Sequence, residues 1–192
     1  GSSGIGRRVC EKLLEVDCSV TVLSRSRKDL PSNINHFEVD ILQENPMFPE
    51  LSKNIDAFVY LPGSINLKPF RQLHIDDFKR DINVNYFGLV KAVQKYLKQI
   101  EQHQGASIVF MSSVAATVGM KYHTSVAASK AAIEGFMRSL AAELAPKVRV
   151  NAIAPSLVKS DLSKHLLDTS DRVEHACKRH PLERVGDVKD IA

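Results

Sequence analysis

The chain of 192 residues has few cysteines, few aromatics and no run of like charge. Its three cysteines, Cys10, Cys18 and Cys177, are an odd number with no metal-like spacing. They give no grounds for a disulfide framework or a cysteine-ligated metal, and they predict reduced, packed thiols in a cytoplasmic protein. No apolar run approaches the length of a bilayer span and no stretch reads as a signal peptide, so no membrane partner is expected. The 26 Lys and Arg against 22 Asp and Glu leave a net charge of +4, scattered along the chain. That pattern reads as a solvated surface and not as a nucleic-acid face, and a mild positive balance suits a phosphorylated ligand. Internal repeats, low-complexity tracts and linkers are also missing. One domain over residues 1–192 is expected, long enough to bury a sizeable core.

What is present alternates. Arg8 to Val16 has Val9, Leu13 and Val16 on one helical face. Ser19 to Leu23 is a short β-branched run and reads as a buried strand. His36 to Val39 reads as the next strand, after a linker whose Pro31 leaves room for little or no helix. Asn45 to Pro49 holds two prolines and reads as a turn. Ala57 to Leu61 is strand-like and Pro62-Gly63 ends it. Asp76 to Ile100 is mostly helical in pattern, with Val90, Val93, Leu97 and Ile100 in register. Ala106 to Met111 and Val148 to Ile153 are strands, and Ser125 to Leu144 is a helix closed by Pro146. Ala154-Pro155 opens a long polar segment to the end, of which Ser156 to about His180 is expected to be mobile, and Asp190-Ile191-Ala192 reads as a helix start. Such alternation predicts an α/β doubly wound parallel sheet with helices on both faces.

Two stretches carry chemistry. The opening Gly1-Ser2-Ser3-Gly4-Ile5-Gly6 is a glycine turn running into a helix, where phosphates can meet backbone N–H groups and the helix dipole. A tag remnant is the alternative reading of its first four residues. The second stretch runs from Ser112-Ser113, at the end of a strand, into an Ala-rich helix carrying Lys130. Together they resemble the short-chain dehydrogenase/reductase family. The family's first strand would then lie before Gly1 and its last after Ala192, so the sequence is expected to be a truncated part of a Rossmann-like domain.

The resemblance implies a nicotinamide cofactor bound by Ser3, Gly4, Ile5 and Gly6. After the strand ending at Leu23 comes Ser24-Arg25-Ser26-Arg27, where NAD-preferring relatives place an acid and this chain has none before Asp29. Arg25 can pair with a 2′-phosphate in fork geometry, which favours NADP, with NAD possible. Asp40 matches the aspartate that contacts adenine. Tyr60-Leu61-Pro62-Gly63 stands where the family shows Asn-Asn-Ala-Gly, and only Gly63 is kept. Pro155, Val158 and Ser160 match the segment that receives the carboxamide.

The same resemblance assigns Ser113 to orient the substrate oxygen, Lys130 to bind ribose and tune the proton donor, and Asn85 to hold a water. Ser113 lies seventeen residues before Lys130, the family's spacing. The family's tyrosine, four residues before the lysine, is replaced by Val126. A water near Lys130 and Asn85, Tyr122 or His123 could supply the proton instead. The expected function is an NADP-dependent oxidoreductase acting on a small carbonyl or secondary alcohol, as a homodimer or homotetramer. The alternative is a catalytically silent dinucleotide-binding relative, a sensor or a subunit.

Overall fold

Every strand pair in the described part of the protein is parallel, the outcome expected when strands alternate with crossover segments. The structure is a computed structural model that describes residues 1–51 and 53–192. These residues fall into two compact units, Gly1–Asp40 with Pro155–Ala192, and Ile41–Ala154.

In the first unit, helix α1 (Gly4–Glu15) precedes strands β1 (Thr21–Ser24) and β2 (Asn35–Glu38), which pair in register Thr21 with Asn35 through Ser24 with Glu38. Cys10, Val20, Val22, Leu30 and Ile34 form its core, with Leu13 and Leu14 packed against them. No helix fills the crossover between β1 and β2. The Arg27 guanidinium donates to the Pro31 carbonyl at 2.8 Å and to the Ile34 carbonyl at 3.3 Å, and so satisfies a loop that Pro31 keeps from coiling. The polar C-terminal segment carries β6 (Val158–Lys159) and α5 (Ser170–Lys178) within the stretch expected to be mobile, followed by β7 (Gly186–Asp187) and α6 (Val188–Ile191), with β6 paired to β7. Thr169 caps α5 by accepting from Arg172 N, and Asp187 caps α6.

In the second unit, β3 (Ala57–Tyr60), β4 (Ala106–Met111) and β5 (Val148–Ile153) form a three-stranded sheet in the order β3-β4-β5. Strand β4 is central. Its Ala106, Ile108 and Phe110 are fully buried and alternate with half-buried residues, as a strand covered on both faces requires. Burying Ile108 or Phe110 contributes about 1.5–3 kcal/mol over leaving it exposed. Helices α2 (Ile75–Ile82), α3 (Gly88–Glu101) and α4 (Thr124–Leu144) complete this unit. Leu89, Val93, Tyr96 and Ile100 of α3 are buried along one stripe, and so are Val126, Ile133, Leu140 and Leu144 of α4.

The expected long helix over Asp76 to Ile100 is interrupted. Residues Asn83–Phe87 form a π turn, closed by the Gly88 N–H on the Asn83 carbonyl. Tyr60 explains its place: its hydroxyl donates to the Val84 carbonyl at 2.7 Å, from a side chain 4% exposed. Gly88 lets that ring in, because a Cβ there would lie 2.6 Å from the Tyr60 hydroxyl.

Candidate functional site

The end of β4 is fixed to α4 by two side chains one helical turn apart. Lys130 Nζ donates to the Met111 carbonyl at 2.7 Å, and Glu134 accepts from Ser112 Oγ at 2.7 Å. Ser113 follows immediately and caps the 3-10 turn Val114–Ala116, its Oγ accepting from Ala115 N at 3.2 Å. That bond uses an oxygen lone pair. The Ser113 hydroxyl proton has no acceptor among the described residues, so it can be given to an oxygen of a bound molecule.

Lys130 is 6% exposed. Burial of its ammonium, opposed by the attraction of Asp81, lowers it from the ordinary lysine value to about 8. One of its three N–H bonds is engaged, and the other two have no partner among the described residues. Gly63 opens onto the same space. A Cβ placed on it would lie 3.4 Å from Asn85 Oδ1 and 3.5 Å from Lys130 Nζ. Two polar groups of opposite character therefore share one small opening beside a glycine.

Asn85 is fully buried in the π turn. Its Nδ2 donates to Ser64 Oγ at 3.1 Å and to Ser129 Oγ at 2.9 Å, and its Oδ1 accepts from Ser64 N at 3.3 Å. Ser113, Lys130, Asn85 and Gly63 thus lie in the second unit, with Asn85, Lys130 and Gly63 in direct proximity. Val126 is 4% exposed, and its carbonyl accepts from Ser129 Oγ at 2.9 Å. Of the two side chains that could stand in for a tyrosine, Tyr122 is turned to solvent and the His123 ring is engaged locally. Tyr122 is 54% exposed and held at φ 68°, and the His123 ring Nδ1 lies 2.7 Å from the Lys121 carbonyl oxygen.

The first unit holds Ser3, Gly4, Ile5, Gly6, Arg25, Asp40, Pro155, Val158 and Ser160. Helix α1 starts at Gly4, and Ser3 makes no side-chain cap, which leaves the first N–H groups of the helix without a side-chain acceptor. Gly4 sits at φ 52°, where a side chain is strained, and a Cβ on it would lie 3.6 Å from that of Ser160. Of the two arginines after β1, Arg27 is used by the loop carbonyls. Arg25 is exposed and has no partner among the described residues. Val158 is buried in β6, and Ser160 Oγ lies 3.2 Å from Ser163 Oγ. Asp40, at the end of this unit's first segment, is half-buried.

Sequence reasoning missed Asp81, Ser64, Ser125 and Ser129. A signal for the first existed: Asp77, Asp81 and Asn85 recur every four residues, so Asp81 falls on the face that carries Asn85. The other three belong to a network that only the tertiary structure assembles.

The family model described as short chain dehydrogenase matches residues 1–171. Carbonyl reductase family member 4 of Xenopus laevis is 29% identical over 205 residues, a match covering all of this chain and 85% of that protein. The 3-oxoacyl-[acyl-carrier-protein] reductase of Homo sapiens is also 29% identical, over 206 residues, with the same coverage. Among solved structures, one titled ElxO with NADP bound superposes with a TM-score of 0.85 at 24% identity, covering 100% of this chain and 85% of that one.

Proposed function

Because this chain belongs to the short-chain dehydrogenase family, we propose that it is an NADP-dependent oxidoreductase interconverting a small carbonyl compound and the corresponding secondary alcohol. The observation that carries this reading is the pairing, in one unit, of a Ser113 hydroxyl proton without an acceptor and a buried Lys130 with two unengaged N–H bonds. Reductases and dehydrogenases among its relatives support it.

The residues present suit a dinucleotide. The uncapped start of α1 and the left-handed Gly4 suit a phosphate at Ser3, Gly4, Ile5 and Gly6. Arg25 suits a 2′-phosphate, Asp40 the adenine, Gly63 and Lys130 the ribose, and Pro155, Val158 and Ser160 the carboxamide. The reduced cofactor supplies the hydride. Ser113 donates to the carbonyl oxygen and holds it as negative charge grows there. Lys130, lowered by burial to about 8, can release a proton at Nζ, directly or through a water shared with Asn85, and regain one from solvent. Hydride on carbon and proton on oxygen complete the alcohol. We place the protein in the cytoplasm, where its free cysteines suit a reducing milieu. A second copy is expected to approach along α4, whose Ala128 and Ala131 are exposed and small.

Two measurements test this. Turnover of NADPH should be found within a broad panel of aldehydes and ketones, and Ser113→Ala should abolish it. Binding without any turnover, with activity appearing only in Val126→Tyr, would establish the second reading, a silent dinucleotide-binding relative, which the buried Val126 favours. Separately, Arg25→Glu should weaken NADPH binding tenfold or more by calorimetry, while NADH changes little. Equal losses for both cofactors would remove Arg25 from the 2′-phosphate.

A further inference from the structure

Asp81 is the one acidic residue counted among the buried side chains of the described structure, at 1% exposed. The reading above gives it no role. A carboxylate out of water needs hydrogen bonds to offset its lost hydration. Asp81 takes them from serines on two other segments: Ser64 Oγ donates to Oδ1 and Ser125 Oγ to Oδ2, each at 2.6 Å.

A carboxylate only accepts, so both serine protons are fixed upon it. The Ser64 oxygen is then left to accept, and it takes one Asn85 Nδ2 proton. The other Nδ2 proton goes to Ser129, whose own proton is held by the Val126 carbonyl. These directions allow Asn85 one orientation: amide nitrogen into the serines, carbonyl oxygen toward Ser64 N and the opening that Lys130 shares. The polarity of the whole chain of bonds starts at Asp81.

Resting on the Ser113, Lys130 and Asn85 reading above, we propose that Asp81 is a positioning residue of the reaction centre. It locks the Asn85 carboxamide through Ser64 and is itself held by Ser125, and its attraction opposes the burial that lowers Lys130. The other charged groups on elements packed against α4 are committed or exposed. On α2, Asp77 accepts from Lys68 and Asn66, Asp76 pairs with Lys79, and Arg80 is exposed. Tyr86 of the π turn packs on Phe136, Arg149 of β5 is exposed, and Glu134 on α4 itself holds Ser112.

The test follows the Lys130 Nζ resonance, assigned with Lys130→Met, from pH 6 to 11 in the full chain without cofactor. In Asp81→Asn, which keeps the shape of the side chain and loses its charge, the midpoint should fall by about one pH unit. Ser64→Ala disturbs the same network and keeps the charge, so its midpoint should stay with wild type. Should Asp81→Asn not fold, Asp81→Ser carries the same readout. An unmoved midpoint in the Asp81 variants, or an equal shift in Ser64→Ala, overturns the proposal. In the kinetic arm, Asp81→Asn and Ser64→Ala should each lower kcat at least tenfold with KM changed less than threefold. Unchanged kcat in both also overturns it. If wild type turns over no carbonyl compound, the functional reading fails by itself, and the titration still decides whether Asp81 governs Lys130.

Discussion

Replacing Lys130 by methionine is expected to lower kcat/KM for NADPH-dependent carbonyl reduction by about 10²–10⁴-fold, the range that a positioned proton donor supplies, while the chain stays folded. Methionine matches the stem of lysine and removes the ammonium. Two effects on stability then oppose each other. The desolvation that pulls Lys130 down to about 8 is relieved. Against that, the Met111 carbonyl loses its donor, at about 1–3 kcal/mol. Near-cancellation is expected, and a urea midpoint close to wild type checks it.

The same variant carries a pH signature. The native lysine has a folded value of about 8 against an ordinary 10.5. Its contribution to stability is therefore fully present above 10.5 and is lost as pH falls through about 8. The rise in wild-type stability across that window should flatten in Lys130→Met. Activity runs the other way. An ammonium that gives up a proton is depleted as pH rises through about 8, so the wild-type rate should decline there. A rate independent of pH across that range would take the proton-donor role away from Lys130.

Gly88→Ala is expected to destabilise the protein by about 2–4 kcal/mol, read as a fall in the denaturant midpoint. The added methyl would lie 2.6 Å from the Tyr60 hydroxyl and 3.0 Å from Ile41 Cδ1. Neither neighbour is a loose surface chain end, since Tyr60 is 4% exposed and tied by its hydroxyl to the Val84 carbonyl. Tyr60 must move and break its bond, leaving a buried phenol and carbonyl without partners. Tyr60→Phe removes the clashing oxygen, and the double variant should recover part of the loss. Strict additivity of the two changes would show that the contact is not the cause.

How much of this was legible in the sequence depended on how local each cause is. Strands Ala106–Met111 and Val148–Ile153 were read with the bounds that β4 and β5 have, because β4 is a nearly continuous apolar run and β5 alternates buried Val148 and Val150 with exposed Arg149 and Asn151. Helix α4 differs by one residue at its start. Helix α1 begins at Gly4, ahead of the expected Arg8, because its first turn is built on glycines and carries no apolar period. The π turn left no mark, since its cause is a tyrosine from another strand. The polar C-terminal segment hid its order for a related reason: its strands are two residues long and hold by pairing, without a periodic pattern.

The candidate site divides in the same way. Ser113, Lys130 and Asn85 could be named from spacing and resemblance. Asp81 sits among Asp76, Asp77, Lys79 and Arg80, so α2 reads as a solvated face. Its serine partners are 17 and 44 residues away along the chain, and no window of sequence holds them together.

The π turn has a last consequence, for length rather than composition. An α-helix advances about 100° per residue, and the five-residue ring closed at Gly88 absorbs one surplus step. Shortening Asn83–Phe87 by one would regularise the backbone but swing all that precedes it by roughly a quarter turn, carrying Asp81 away from Ser64 and Ser125. Substitutions in this segment can be weighed one by one. An insertion or deletion within it would dismantle the buried polar cluster in a single event, so descendants of this protein should keep Asn85 and, around it, vary in letters and hardly at all in count.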